Sequence, residues 1–483
     1  MIPQTTADAI PAWPSGILTA ADRARFARYA EAIAFVDGAQ WLGRQRRGET
    51  RLTFNYARVM VRKTAAYVFP APVTFTIPAA GDETVANAAE RILAECGAVL
   101  DLGRLDVDLC IEAATLGDAA VKVTWDAARG RPEVAPVDPA TLAVMTAPDN
   151  PRRMRRLTQV YALAERDAVA LFSLHGSRTA TERPVTVAET WSEERWRVEV
   201  AGQVVRDDIN PYGWIPYVML ANGARPGEFW GESDLTDLYD PCRELNARLS
   251  TLSRVLDVSG APIAVLENVD GSEGISVGPG AKWELPEGAR AYLLDLLSGG
   301  GVGLHVQYID LLFRVLHDLS ETPRTAFGDS GRDLSGAALE VEVQPLVQKV
   351  ARKRRDLDAF YRERNARLLD LLERFGGEAL GGLRRTVTVW PSPLPSDLDA
   401  AVRNAARLVA GGIHSRRTAV ATLGGDDPEG EWRRVLEEAR ELEGAPASPR
   451  GVKGERGNGG IGGRDERRSE GAMSDGQLPT PDC

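Results

Sequence analysis

Apolar residues recur every three or four positions over much of the chain, and every second position over one stretch of it. From Ala21 to Val36, Phe26, Tyr29 and Ile33 stand among Arg and Glu, which predicts an amphipathic helix. "NYARVMVRKTAAYVF" predicts a second, with Asn55 as its N-cap and Pro70 after its end. "PVTFTIP" reads as a short strand, and residues 84–116 as two further helices with Gly97 between them. The period then becomes two in "AAVKVTW" and "EVAPVD", on either side of the turn "DAARGRP". "TQVYALAE", "PVTVAETW" and "RWRVEVAGQVV" continue it to about residue 220, so the N-terminal half is expected to be α+β.

Helical spacing returns at 233–260, where Leu235, Leu238, Leu245, Leu249, Leu252 and Leu256 fall on one face; Pro241 interrupts it early and Gly260 stops it. A small insert follows at 261–300, with "PIAVLENV" and "AKWELP" as strands and "SGGGVG" closing it. Tyr308, Leu312, Val315 and Leu319 define a helix over 304–320. The longest periodic segment covers 336–376 through Leu339, Val343, Leu346, Val350, Leu357, Phe360, Leu368, Leu371 and Phe375. A helix of that length is roughly 60 Å long at 1.5 Å per residue, and Pro345 inside it is expected to kink it. "RRTVTVWPSPLPSD" is a strand leading into a Pro-rich connection, and helices follow near 397–410 and 428–443. The last forty residues are Gly-, Ser- and charge-rich without a period, which predicts disorder.

Charge narrows the function. With 58 basic and 69 acidic side chains the net charge is −11, which argues against a protein that coats nucleic acid. It does not argue against one that lets nucleic acid pass. The four cysteines, Cys96, Cys110, Cys242 and Cys483, have no metal-binding spacing and are too few for a disulfide scaffold, so a reducing compartment is expected. No apolar run has the length of a membrane span, and "MIPQTTADAIPAWPSG" lacks the basic and apolar regions of a secretory signal.

One stretch invites an enzymatic reading. "GDSG" at 328–331 is spelled like the surroundings of a serine protease nucleophile, which would make Ser330 catalytic. A serine nucleophile needs a histidine base. The four histidines, His175, His305, His317 and His414, have no sequence setting that suggests one, and Arg332 stands where that motif has a second glycine. No Walker A sequence occurs, and "SGGGVG" and "GGIGG" lack the strand-to-helix context of a phosphate cradle. The basic run Lys349, Arg352, Lys353, Arg354 and Arg355 has two readings, contact with DNA or with another subunit, and a solvated helix face with Asp356 and Asp358 close enough to pair. Asp426 and Asp427 read as a turn capping the next helix rather than a metal site. No catalytic, cofactor or metal residue is assigned.

The order of elements, an α+β body, helix, small insert, helix, polar loop and long kinked helix, resembles the portal proteins of tailed bacteriophages. "NYARVMVRKTAAYVFPAPVTF" is similar to that family's early wing helix and strand, and "GDAAVKVTWDAARGRPEVAPVDPATLAVM" to its hairpin and "-DP-" turn. "WIPYVMLANGARPGEFWGESDLTDLYDPCRELNARLS" resembles the passage from a wing strand into the stem, and "LSGAALEVEVQPLVQKV" the opening of the long helix with its internal proline. "GGIHSRRTAVATLGGDDPEGEWRRVLEEARELE" resembles the C-terminal G-x-x-S-x-x-T unit and acidic helix. The insert has no such match, and its assignment rests on its place between the two stem helices.

The resemblance implies an elongated α+β portal-type subunit with a helical stem, a small α/β clip, a long kinked helix and a helical crown. Its parts would be a flexible N-terminus (1–20), wing (21–232), first stem helix (233–260), clip (261–303) and second stem helix (304–321). A tunnel loop (322–335), the long wing helix (336–376), a wing strand with crown helices (377–444) and a disordered tail (445–483) would complete it. Arg324, Asp329, Ser330, Arg332 and Asp333 would face passing DNA from the tunnel loop. The partners implied are other copies in a ring, usually of twelve subunits, the large terminase subunit, the major capsid and scaffold proteins, a head–tail adaptor and double-stranded DNA. No cofactor and no membrane are implied; the place is the portal vertex of the virion, after assembly in the host cytoplasm. Another head–tail ring protein and a hydrolase using Ser330 are the alternatives.

Overall fold

The computed structural model describes residues 13–14, 16–79, 81–172, 181–260, 263–268, 287–294, 301–328, 336–394, 398–423 and 428–444. The chain divides into two compact units, Met1–Pro395 and Ser396–Cys483.

In the first unit α1 (Ala20–Val36) begins with a capping box, in which the Thr19 hydroxyl accepts from the Asp22 amide and the Asp22 carboxylate accepts from that of Thr19. Asn55 caps α2 (Tyr56–Val68) through the Arg58 amide. A short β1 (Thr74–Thr76) leads to α3 (Glu83–Val99) and α4 (Leu102–Leu116). The break between these two helices is not at Gly97, which lies inside α3. It is at Leu100–Asp101, where Asp101 takes a left-handed conformation with φ of 50°. A methyl group at Gly97 would only touch Leu102, at 3.8 Å, so nothing there forces the chain to turn.

Two antiparallel sheets follow. β2 (Asp118–Asp126) pairs with β3 (Arg131–Val137) on one side and β9 (Tyr217–Ala221) on the other. The second sheet runs in sequence order through β4 (Leu142–Ala147), β5 (Asn150–Ala164), β6 (Pro184–Trp191), β7 (Arg195–Val200) and β8 (Gln203–Ile209). Strand β4 and the helix α5 (Glu165–Phe172) were not anticipated by the periodicity. Arg25 of α1 is buried across the link between the sheets: it donates to the carbonyls of Pro139 and Leu142, pairs with Asp22 and stacks 3.5 Å from the Trp230 ring. The chain crosses itself at Gly117 and Gly231. A Cβ at Gly231 would lie 2.2 Å from the Gly117 carbonyl oxygen, and Gly117 has a φ of 101°, so neither position has room for a side chain.

The next helix, α6 (Tyr239–Gly260), starts six residues later than its leucine spacing suggests. Residues 233–238 are turns because their polar groups bond elsewhere. The Ser233 hydroxyl donates to the Thr115 carbonyl and accepts from the Leu235 amide. Pro241 therefore sits in the first turn of α6, where its missing N–H breaks no ladder bond. From the insert the structure describes β10 (Ile263–Glu267) paired antiparallel with β11 (Arg290–Leu294). The expected strand "AKWELP" lies outside the described residues. After α7 (Gly301–Leu319) the expected long helix is two helices, α8 (Gly336–Glu342) and α9 (Gln344–Arg374), with Pro345 in the first turn of the second. β12 (Val387–Val389) pairs with β1 and closes the unit.

Helix α9 is the spine of the main core. Leu346, Val350, Leu357, Phe360, Tyr361, Leu368, Leu369 and Leu371 are buried against side chains of α2, α3, α4 and the three-stranded sheet. Arg364, with no exposed surface, pairs with Asp106 of α4 and lies 4.8 Å from the Tyr361 ring. A second cluster joins α1 and α2 to α6 and α7 through Phe35, Met60, Leu238, Leu245, Leu312 and Leu316.

The second unit contains α10 (Leu398–Ala410), α11 (Arg416–Leu423) and α12 (Pro428–Gly444). The G-x-x-S-x-x-T stretch is the turn between the first two. Gly412 has a φ of 69°, and the Ser415 hydroxyl accepts from the Thr418 amide to cap α11. Asp426 and Asp427 lie outside the described residues.

Candidate functional site

Helix α7 is apolar on two faces. Ile309, Leu312 and Leu316 are buried in the cluster with α6, and Phe313 meets Tyr56 edge-on at 5.0 Å. On the adjoining side, roughly 100° round the helix, Leu304, Tyr308, Leu311, Val315 and Leu319 recur at spacings of three and four, and all are exposed, Leu304 by 68% and Leu311 by 48%. An ordinary surface helix has one apolar stripe. An exposed apolar stripe of this kind is the sort of surface that contact with another chain would cover.

The end of α7 is held in a tight turn. Glu321 has a φ of 52°, unusual for a residue with a side chain, and the backbone bonds from Ser320 to Leu316 and from Thr322 to His317 close the helix around it. The His317 Nδ1 lies 2.5 Å from the Thr322 carbonyl oxygen, and the hydroxyls of Ser320 and Thr322 bond each other. Lys349 of α9 donates to the Ser320 carbonyl at 2.9 Å, and Arg352 pairs with Glu321. A 3-10 turn, Arg324–Phe327, follows. Arg324 pairs with Asp310 of α7 at 3.1 Å, and Ala326 is buried in the main core. Asp329, Ser330, Arg332 and Asp333 lie outside the described residues.

Behind this turn is a buried ionic cluster. The Asp234 carboxylate receives Lys353 at 2.8 Å and Lys349 at 3.2 Å, and the Asn222 amide at 2.9 Å. Lys353 also donates to the Asn222 side-chain oxygen at 2.7 Å. Burial alone would push Asp234 up, but the two ammonium groups and these hydrogen bonds hold it at about 2. Burial lowers Lys349, opposed by Asp234. One carboxylate thus ties together the exit of β9, the approach to α6, the end of α7 and the long helix α9.

The basic run is therefore divided. Lys349 and Lys353 point into this cluster, and Arg352 reaches Glu321. Arg354 donates to the carbonyls of Val68 and Pro391 and stacks 4.8 Å from the Trp390 ring. Arg355 is exposed. The local carboxylates bond elsewhere, Asp356 accepting from the Gly223 amide and Asp358 from the Trp390 indole. Asp234 and Asn222 were missed in the sequence. The available signal was the position of Lys353 and Arg364 on the apolar face of α9, in phase with Leu346, Val350, Leu357 and Leu368.

A separate buried carboxyl, Glu112 of α4, is pushed up to about 8 by its burial and by the carboxylates of Asp138 and Asp108. It keeps its proton in the folded chain while an unfolded chain loses it at ordinary carboxylate values. Stability from this group is full below that range and declines as pH rises towards 8. Glu112→Gln is expected to flatten that decline and to raise the thermal midpoint by a few degrees at pH 8, with little change at pH 4.5. Melting curves across this range check it, and equal midpoints for both proteins at pH 8 would count against the assignment.

Among the described residues no group of three or more His, Cys, Asp or Glu side chains is placed to hold a metal ion, and no helix is long and apolar enough to cross a membrane. No curated protein matches the chain. Residues 305–445, from α7 through the turn and the long helix to α12, match the family model described as phage portal protein, SPP1 Gp6-like. Over these residues, which are less than half of the chain, the protein is similar to the phage portal protein family.

Proposed function

We propose that the chain assembles with copies of itself into a ring, of about a dozen subunits, at one vertex of a phage or prophage capsid. The terminase would drive DNA inward through the central channel, and DNA would leave the same way. The protein would serve as a conduit without a catalytic step of its own. The observation that carries this reading is the second apolar stripe of α7, which gives each subunit a helical surface for its neighbour.

In this reading α6 and α7 form the stem, the insert with β10 and β11 forms the clip, and α10 to α12 the crown. Residues 322–335 project into the channel as the tunnel loop, with Arg324, Asp329, Ser330, Arg332 and Asp333 presenting mixed charge to passing DNA. Arg355, and Arg352 where it leaves Glu321, are the members of the basic run open to DNA or a neighbouring subunit. A net charge of −11 per chain gives a ring a strongly negative field, which opposes adhesion of the duplex to its wall. Capsid, scaffold, terminase and adaptor proteins are the partners of such a ring.

The test is the mass of the purified protein in solution together with negative-stain images. A mass near a dozen chains and particles with a central hole are expected. A single chain at every salt and protein concentration, and also after co-expression with the scaffold and capsid proteins, would refute the ring.

A further inference from the structure

The loop between α1 and α2 contains "RQRRGETR", residues 44–51, with four arginines and one glutamate in a chain that is acidic as a whole. It is fastened to α6 at its end. The Leu52 amide donates to the Ser250 hydroxyl at 2.9 Å and the Phe54 amide to the Asn246 side chain at 2.8 Å, while Asn246 donates to Gln40 at 2.7 Å. Within the loop Arg51 donates to the carbonyls of Gly43 and Arg44 and pairs with Glu49, and the second partner of the Glu49 carboxylate is the Arg46 backbone amide. Both contacts of the Glu49 carboxylate, the one acidic group of residues 44–51, fall on its Oε2 oxygen.

Between this loop and α6 lies an open cavity of about 330 Å³. Trp41, Arg46, Arg47, Thr50 and Arg254 supply its aromatic, cationic and hydroxyl lining, and the Glu49 carboxylate lines it as well, beside the three arginines. The α6 side is a single helical stripe, Ala247, Ser250, Thr251 and Arg254. None of the guanidinium groups of Arg46, Arg47 and Arg254 forms an ion pair with a described residue, whereas Arg51, Arg243 and Arg248 nearby all do. Three unpaired guanidinium groups on one concavity repel one another, and an anion placed between them removes that repulsion.

We propose that this cavity is a phosphate-binding site, with Arg46, Arg47 and Arg254 as its donors. A single carboxylate satisfies one guanidinium fork, whereas a phosphate presents several oxygens and can meet more than one. The Thr50 hydroxyl adds a neutral donor, and Trp41 gives a flat wall beside the site of the kind on which nucleobases stack. The phosphate comes either from a nucleic-acid backbone or from a free nucleotide or polyphosphate. The site does not depend on ring assembly, since loop and helix belong to the same chain.

The experiment measures binding of a short fluorescein-labelled DNA duplex to the full-length protein by anisotropy, with tripolyphosphate and a nucleoside monophosphate as competitors. The wild-type protein is expected to bind the duplex at low salt and to release it to tripolyphosphate. Arg46→Ala/Arg47→Ala is expected to weaken binding at least about tenfold and to reduce the salt slope by about 2. Arg254→Ala should weaken it too, while Arg129→Ala, far along the sequence on the β2–β3 turn, should not. Circular dichroism of each variant checks that the fold is kept. Displacement by the nucleoside monophosphate at lower concentration than by tripolyphosphate identifies a nucleotide as the source, and duplex binding that resists it identifies the backbone. Absence of binding to every phosphate probe, equal binding by the arginine variants, or more effective displacement by polyglutamate than by tripolyphosphate overturns the proposal.

Discussion

Asp234→Ala is expected to destabilise the first unit by about 3–5 kcal/mol, the usual cost of leaving a buried charge without its partner. The reason is the geometry around it. Lys353 and Lys349 lie 2.8 and 3.2 Å from the carboxylate, and both ammonium groups are largely withdrawn from water. Removing the carboxylate leaves two like charges facing each other in a protein interior. Asp234→Asn should be only slightly milder, because it keeps the shape and loses the charge. Chemical denaturation measures both, and a loss below about 1 kcal/mol for the alanine variant would show that the cluster contributes little. The pH dependence has a definite sign. A carboxyl held at about 2 contributes fully at neutral pH and keeps contributing until pH falls below the ordinary carboxylate range, and the contribution disappears as pH drops through about 2.

If the proposed ring forms, Leu311→Glu combined with Val315→Glu is expected to leave single chains at concentrations where the unaltered protein assembles. Both side chains are exposed on the outer stripe of α7, so the folded subunit should tolerate the exchange within about 0.5 kcal/mol. In an assembled interface the same positions would bury an apolar side chain worth roughly 1.5–3 kcal/mol each, and a carboxylate there would be desolvated without a partner. In the proposed ring each contact would recur, so the penalty would be repeated at every subunit boundary. Sedimentation velocity reads the result. An unchanged assembly with both substitutions present would remove α7 as the contact surface.

Much of the helical framework was legible because it follows local rules. Asn55 announces a helix start through a hydrogen bond that spans only three residues; Thr19 makes the same contact, although the first helix is read from its apolar period alone. The strands β6 and β7 appear as strands because each buries side chains in a core, whereas β8 is exposed apart from the half-buried Val205. The misplaced start of α6 has its cause in polar groups committed to distant partners. Residues 233–238 have helical spacing, yet Ser233 and Asp234 bond to Thr115, Lys349 and Lys353 and hold the chain in turns. The basic run of α9 was the harder case. Lys349 and Lys353 lie more than a hundred residues from their carboxylate, and no local pattern reports such a pairing. A lysine in phase with buried leucines was the visible sign that the run did not belong wholly to the surface. The expected tunnel-loop residues Asp329, Ser330, Arg332 and Asp333 fall outside the described residues, whereas Arg324, at the near end of the same segment, is paired with Asp310 of α7.

The division of the long helix at Val343 and Pro345 has a mechanical meaning. Beyond it α9 is fixed by Asp234, Asp106 and the aromatic rings of the core, so its axis is set by the body of the subunit. Ahead of it α8 has exposed side chains at Leu339 and Val341, and Pro345 has no N–H to donate back to that helix. The backbone bonds from Val343 to Leu339 and from Val347 to Val343 are what carries the chain across the division, so a force applied before α8 would reach the spine through them.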